Sequence, residues 1–97
     1  MRERPTAVFA GGAPISDLLS EAAAAGRPVL LATEVEAPKP SPAFFAEACR
    51  RLERTPAAVL YIDEDDRAVR GARAAGLAAY RWNGPADLPY LRKALGL

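Results

Sequence analysis

The chain contains no histidine. This absence excludes a histidine general base, a Ser-His-Asp triad and a zinc site with histidine ligands. Cysteine is nearly absent, because Cys49 is the only one in 97 residues. Cys49 falls in a helical pattern beside Ala48 and Leu52, which predicts a small buried side chain rather than a nucleophile. One cysteine cannot form an internal disulfide, so we expect a reducing compartment, the cytoplasm.

The chain also lacks a large net charge and long apolar runs. Thirteen basic residues stand against twelve acidic ones, the formal net charge is +1, and no basic tract stands out. We therefore expect no nucleic-acid partner. No segment approaches the length of a membrane span, and the apolar run at residues 7–10 is too short for a signal peptide. The sequence predicts one soluble domain over residues 1–97, with no membrane partner.

Apolar segments and amphipathic segments alternate along the chain. The apolar patterns predict strands at Ala7–Ala10, at Val29–Ala32, from Val59 into the acids that begin at Asp63, and at Ala78–Tyr80. Helices are expected from Ser16 or Asp17 to about Ala25, from Pro42 (capped by Ser41) to about Arg54, from about Asp66 to Ala75, and around Leu88, Leu91 and Leu95. Right-handed strand-helix-strand connections then predict a small, parallel, four-stranded, Rossmann-like three-layer α/β/α sandwich.

The third predicted strand leads directly into four acids, Asp63 to Asp66. Open α/β sheets bind ligands at the C-terminal ends of their strands. One or two of these carboxylates could hold a divalent cation there while another caps the next helix. Alternatively, all four form a solvated turn with an aspartate cap, and the sequence leaves both interpretations open.

Several short sequence motifs follow one another in the second part of the chain. Lys39-Pro40-Ser41-Pro42 stands before a helix, Tyr61-Ile62-Asp63-Glu64 ends a strand, and a helix closes on the residues from Gly71 to Leu77. Gly84-Pro85-Ala86-Asp87-Leu88 and Leu95-Gly96-Leu97 complete the series. From Ala37 to Leu97 the sequence thus resembles the haloacid dehalogenase-like (HAD) hydrolases, of the kind related to phosphoglycolate phosphatase.

The resemblance implies roles for four residues. Lys39 would be the phosphate-neutralising lysine, Asp63 the chief magnesium ligand and Glu64 its helper, and a small phosphate ligand would bind beside them. Thr33 would be the hydroxyl that orients the phosphoryl group. The stretch from Leu31 to Lys39 equally matches the end of a later family strand, and in that alignment Thr33 is only a residue of the turn after a strand.

The N-terminal third departs from the family pattern. The nucleophilic aspartate of the family falls on Ala10, and the second family acid falls on Gly12, a position that is often glycine in this branch of the family. The large cap that members insert after this motif is reduced to residues 12–15. A methyl group cannot attack phosphorus, so we predict a capless HAD-like domain that is catalytically inactive and binds any Mg²⁺ weakly.

Three functions follow from these observations. The first is a degenerate hydrolase domain that acts through binding or self-association. The second is a minimal Mg²⁺-dependent phosphohydrolase that uses another acid, such as Asp63. The third is a receiver-like signalling module, because residues 61–69 resemble the acidic start of receiver domains, which carry it on their first strand and the phosphorylated aspartate on their third.

Surface patterns add a prediction about partners. The family's third strand has no counterpart, which leaves Val29–Ala32 at or near a sheet edge without a Lys or Pro inside it to block pairing. We therefore expect a homodimer, or a protein partner, at that edge. Three aromatic residues could form a second contact patch: Phe44, Trp82 and Tyr90. Alternatively, Trp82 and Tyr90 lie half-buried over the last helix.

Overall fold

The computed structural model describes residues 4–97 of the protein. Its strands are β1 (Ala7–Ala10), β2 (Val29–Leu31), β3 (Val59–Asp63) and β4 (Ala78–Arg81). Its α-helices are α1 (Ser16–Ala24), α2 (Pro42–Leu52), α3 (Asp66–Ala74) and α4 (Leu88–Ala94). Single turns of 3₁₀-helix cover Ala32–Glu34, Pro56–Ala58 and Pro85–Asp87. The predicted alternation of strand and helix is confirmed.

All four strands lie parallel in one sheet, in the order β2-β1-β3-β4. The chain moves from β1 to β2 on one side and then crosses to β3 on the other side of β1. This reversal makes the gap between the C-terminal ends of β1 and β3 the topological switch point, where open α/β sheets bind ligands. The register pairs Ala10 with Ile62, so the residues that follow β1 lie beside Asp63.

Two apolar cores cover the two faces of the sheet, because successive strand residues point to opposite faces. Phe9, Val59 and Tyr61 pack against α2 and α3. The strand residues that point to the opposite face, Val8 and Leu60 among them, pack against α1 and α4. The predicted three-layer α/β/α sandwich is therefore confirmed.

Helix ends follow the sequence signals at α2 but not at α1. The Ser41 hydroxyl accepts a hydrogen bond from the Phe44 N–H at 3.1 Å, and Pro42 opens the helix, as predicted. Neither Ser16 nor Asp17 caps α1. Both lie inside the helix, and the residue before it, Ile15, has no capping side chain. Ile15 is instead 2 % exposed in the core, so its burial fixes the start of that helix.

Two of the three aromatic residues predicted for a contact patch are buried. Phe44 lies in the core beneath α2, and Trp82 is buried on the side of α1 and α4. Burial of these two rings stabilises the two cores. Because Phe44 and Trp82 are buried, the prediction of an exposed aromatic patch is wrong. Of the three, Tyr90 alone is exposed, at 70 %.

The sheet has β2 at one edge and β4 at the other. The edge position expected for Val29–Ala32 is confirmed, although the strand ends at Leu31 and Ala32 begins a 3₁₀ turn. No helix among residues 4–97 is both long enough and apolar enough to cross a membrane.

Candidate functional site

The candidate site lies at the switch point and is centred on Asp63, the last residue of β3. Its side chain is 2 % exposed, and within residues 4–97 it is the only charged group that the fold buries. A buried carboxylate is costly unless hydrogen bonds and a counter-charge replace the water that it loses. Its immediate partners therefore decide what this site can do.

Four donors surround the Asp63 carboxylate. Oδ1 accepts the backbone N–H groups of Gly12 and Asp65, each at 3.1 Å. Oδ2 accepts the Tyr61 hydroxyl and lies 2.6 Å from Lys39 Nζ. A carboxylate offers about four lone-pair positions, so these donors fill its acceptor capacity.

Each donor is positioned by a different part of the fold. Tyr61 stands two residues before Asp63 on β3 and therefore shares its face of the sheet. Its ring packs against Phe9 and Phe45, with centroids 5.2 Å away in both cases, which aims the hydroxyl at the carboxylate. Lys39 comes from the loop before α2, and Gly12 from the loop after β1.

Gly11 leaves the space that the carboxylate occupies. A Cβ atom placed on Gly11 would stand 2.5 Å from both Cγ and Oδ2 of Asp63, a separation that no real side chain tolerates. The Gly11 backbone is held at this place because its N–H donates to the Ile62 carbonyl at 2.7 Å. The strand end beside Asp63 therefore carries no side chain.

The surroundings hold Asp63 in its charged form. Burial by itself raises the pKa of Asp63, but the hydrogen bonds from Lys39, Tyr61 and the two backbone N–H groups outweigh it, and the pKa lies below its ordinary value of 3.8. The pKa of Tyr61 is raised, first by burial and then by its hydrogen bond to the Asp63 carboxylate. The site at neutral pH is an ion pair of Asp63 and Lys39 with a protonated tyrosine beside it.

Two of the residues predicted for the site meet, and the others stand apart from the ion pair. Lys39 and Asp63 are in direct contact. The Glu64 side chain is exposed, and it is the Glu64 backbone carbonyl that accepts a hydrogen bond, from Arg81. Thr33 is exposed in the turn after β2 and is not among the partners of Asp63.

Ala10, predicted at the nucleophile position, packs in the core on the side of α1 and α4. Since Asp63 lies on the same face as Tyr61, the side-chain position of β1 that meets Asp63 is that of Gly11 rather than Ala10.

Sequence reasoning missed the role of Tyr61 and the contact of Gly11 with the carboxylate. The spacing of Tyr61 and Asp63, two residues apart on a predicted strand, was a usable signal for the first. The Gly11-Gly12 pair indicated a close backbone approach but not to which group.

A magnesium site does not fit the donors present. Within the described chain, no group of three or more His, Cys, Asp and Glu side chains is arranged to hold a metal ion. Mg²⁺ needs carboxylate, phosphate or water oxygens with free lone pairs, whereas the four donors around Asp63 occupy its oxygens. A cation at Asp63 would also have to displace the Lys39 ammonium group.

Comparisons with known proteins bear on the fold alone. No family model matches the chain, and no curated protein matches it. A crystal structure of an uncharacterized protein from Corynebacterium glutamicum ATCC 13032 Kitasato is similar, with a TM-score of 0.79 and 18% sequence identity, over 95% of this chain and 96% of that one. That likeness supports the parallel α/β architecture and carries no information on activity.

Proposed function

We propose that this chain is a non-catalytic α/β domain of HAD-like ancestry that acts through binding. The observation that carries the proposal is the state of Asp63, whose oxygens are engaged by Lys39, Tyr61 and two backbone N–H groups. A nucleophilic carboxylate needs an oxygen with a free lone pair and access to the substrate. Asp63 is 2 % exposed and offers neither.

The neighbouring strand end supports the same proposal. Ala10 and Gly11 provide no second carboxylate beside Asp63, so neither a phosphoryl acceptor nor a paired metal ligand is available there. The Asp63–Lys39 pair then serves to hold the loops after β1 and before α2 against the end of β3. We propose that the site keeps charged residues of a phosphohydrolase, Asp63 and Lys39, and that their role here is structural.

Incubation with Mg²⁺ and p-nitrophenyl phosphate tests the loss of catalysis. We expect no release of nitrophenol above that of the buffer for the wild type, and the same result for Lys39→Ala and Asp63→Asn. Mg²⁺-dependent turnover that disappears in a folded Asp63→Asn variant would overturn the proposal in favour of a minimal phosphohydrolase. Circular dichroism of each variant establishes that it is folded.

The place of Asp63 at the end of the third strand favours one second candidate, the receiver-like module. The sheet order β2-β1-β3-β4 is also the order of the first four strands in flavodoxin-like sheets. Phosphorylation there would require an oxygen of Asp63 to leave its contacts with Lys39 and Tyr61 and bond to phosphorus, with acetate leaving from acetyl phosphate. An intact-mass measurement after incubation with acetyl phosphate and Mg²⁺ detects an added phosphoryl group, and an unchanged mass removes this candidate.

Self-association at β2 is the binding mode that we propose for this cytoplasmic domain. The strand is at the sheet edge, and Leu31, 42 % exposed, lies beside Leu19 and Val29 on the surface between β2 and α1. Two copies related by a two-fold axis would pair their β2 strands and join two sheets into one. Glu34 limits this pairing, because its carboxylate accepts the Leu31 N–H at 2.7 Å and covers one donor of the edge.

Analytical ultracentrifugation tests the β2 interface. We expect a concentration-dependent dimer at tens of micromolar, weaker in Leu31→Lys because the variant places a charge in the interface. Glu34→Ala should strengthen the dimer, since it frees the Leu31 N–H. Tyr90→Lys is the matched control, as Tyr90 is the other large apolar side chain exposed among the described residues and lies on α4. A wild type that remains monomeric over this concentration range would contradict the proposal.

A further inference from the structure

A groove separates the start of α2 from the outer side of α3, and we call it the α2–α3 groove. Its volume is about 370 Å³, within the range of roughly 300–1,000 Å³ typical of pockets for small ligands. Six of its lining residues carry the argument: Pro40, Phe45, Arg67, Gly71, Ala74 and Ala75.

The walls of the groove are apolar because of the residues that α2 and α3 present to each other. Ala74 at the end of α3 and Ala75 at its C-terminal cap have short side chains, so this end of the helix leaves room beside it. A Cβ atom on Gly71 would stand 3.2 Å from the Phe45 ring and 3.5 Å from Pro40 Cβ, which shows how closely these three residues meet at the groove. The Phe45 ring is 1 % exposed and lies beneath the groove, so the apolar surface open to a ligand is that of Pro40, Ala74 and Ala75.

One cation stands in this apolar lining. Arg67 lines the groove from the first turn of α3, and within residues 4–97 no carboxylate lies at ion-pair distance from its guanidinium group. The other arginines of α3 are engaged. Arg70 pairs with Asp66 at 3.0 Å, and Arg73 donates to the Ala79 carbonyl at 3.2 Å.

We propose that the α2–α3 groove binds a small organic anion, with an aromatic or aliphatic body in the groove and one carboxylate or sulfonate group on Arg67. A planar guanidinium group binds such oxygens through two parallel hydrogen bonds. The other polar side chain of the lining, Ser41, is already engaged, because its hydroxyl donates to the Pro38 carbonyl and accepts the Phe44 N–H. The chemistry of the groove therefore selects a single charge on an apolar body. This inference does not depend on the proposed loss of catalysis, because the groove does not include Asp63 or Lys39.

A matched pair of fluorescent probes tests both parts of the proposal. 8-Anilinonaphthalene-1-sulfonate carries the apolar body and the anionic group, and N-phenyl-1-naphthylamine is nearly the same body without the sulfonate. Titration of the native protein should give saturable fluorescence with both probes and tighter binding of the sulfonate. Arg67→Gln should weaken the sulfonate about tenfold while leaving the neutral probe nearly unchanged, since only the charged hydrogen bonds are lost.

A second variant fills the groove instead of removing its charge. Ala74 is exposed on α3, so Ala74→Trp places a large ring in the groove at a position that tolerates it and should abolish binding of both probes. Arg70→Gln and Ala24→Trp are the controls, because they make the same changes away from the groove and should leave both affinities unchanged. Absence of binding, or equal weakening of the two probes by Arg67→Gln, would overturn the proposal. Binding that survives Ala74→Trp would also overturn it.

Discussion

At the scale of single residues, Asp63 depends on a glycine in the neighbouring strand end. The carboxylate is held by four donors and cannot rotate away without losing hydrogen bonds. Gly11 leaves room for it, whereas the adjacent Gly12 stands farther off, with a hypothetical Cβ atom 3.3 Å from Oδ1. The two glycines are therefore not equivalent, although they are adjacent in the sequence.

We predict that Gly11→Ala lowers the free energy of unfolding by about 1–3 kcal/mol, because the new methyl group enters space that Asp63 fills. Gly12→Ala is the matched control and should cost less, since the neighbouring oxygen needs to move by only a few tenths of an ångström. Urea denaturation followed by circular dichroism measures both. Equal stability of Gly11→Ala and Gly12→Ala would argue against a rigid carboxylate beside Gly11.

At the scale of elements, helix α2 shows which sequence signals decide local structure. The Ser41 hydroxyl accepts the Phe44 N–H at 3.1 Å and donates to the Pro38 carbonyl at 2.6 Å. It therefore links the first turn of α2 to the loop that carries Lys39. This cap was predictable because Ser41 and Pro42 act within a few residues, whereas the start of α1 was not, because it depends on burial of Ile15 in the tertiary core.

We expect Ser41→Ala to reduce the free energy of unfolding by about 1 kcal/mol through loss of the cap, and Ser41→Asn to retain most of the stability. Ser20→Ala, at an exposed position inside α1, is the control and should be neutral or slightly stabilising. Thermal unfolding of the three variants gives the comparison. A Ser41→Ala variant as stable as Ser20→Ala would show that the cap adds nothing to the fold.

At the scale of the whole molecule, the Asp63–Lys39 ion pair ties stability to pH. The pKa of Asp63 in the folded state lies below its ordinary value of 3.8, so the unfolded chain binds more protons in that range. Stability from this group is therefore complete above about pH 3.8 and is lost as the pH falls through the folded-state pKa. Acid should weaken the contact that fastens the loops after β1 and before α2 to β3.

We predict that Asp63→Asn lowers the free energy of unfolding at pH 7 by about 2–4 kcal/mol, because an amide cannot satisfy the donors that face it. The difference from the wild type should shrink as the pH falls below about 3.8. Glu64→Gln, an exposed change at the next position, should alter stability by less than about 0.5 kcal/mol at pH 7. A difference between wild type and Asp63→Asn that stays constant down to pH 2 would contradict the proposed linkage.

The sequence by itself determined the succession of strands and helices along the chain and the parallel sheet, whereas the edge position of β2 was implied by the resemblance to a family. The first two features follow from local apolar periodicity and from the handedness of connections, which operate over short stretches of chain. The sequence also predicted that Asp63 lies at the end of a buried strand. The meeting of Lys39 with Asp63 was implied only through the resemblance to a family.

Only the tertiary structure decided how the Asp63 carboxylate is used. Tyr61, Gly11, Gly12 and Lys39 converge on it through the register of β1 with β3 and the path of the loop before α2. The burial of Phe44 and Trp82 was likewise decided by packing. These contacts join residues far apart in the chain, and no local pattern specifies which distant groups will fill a given space.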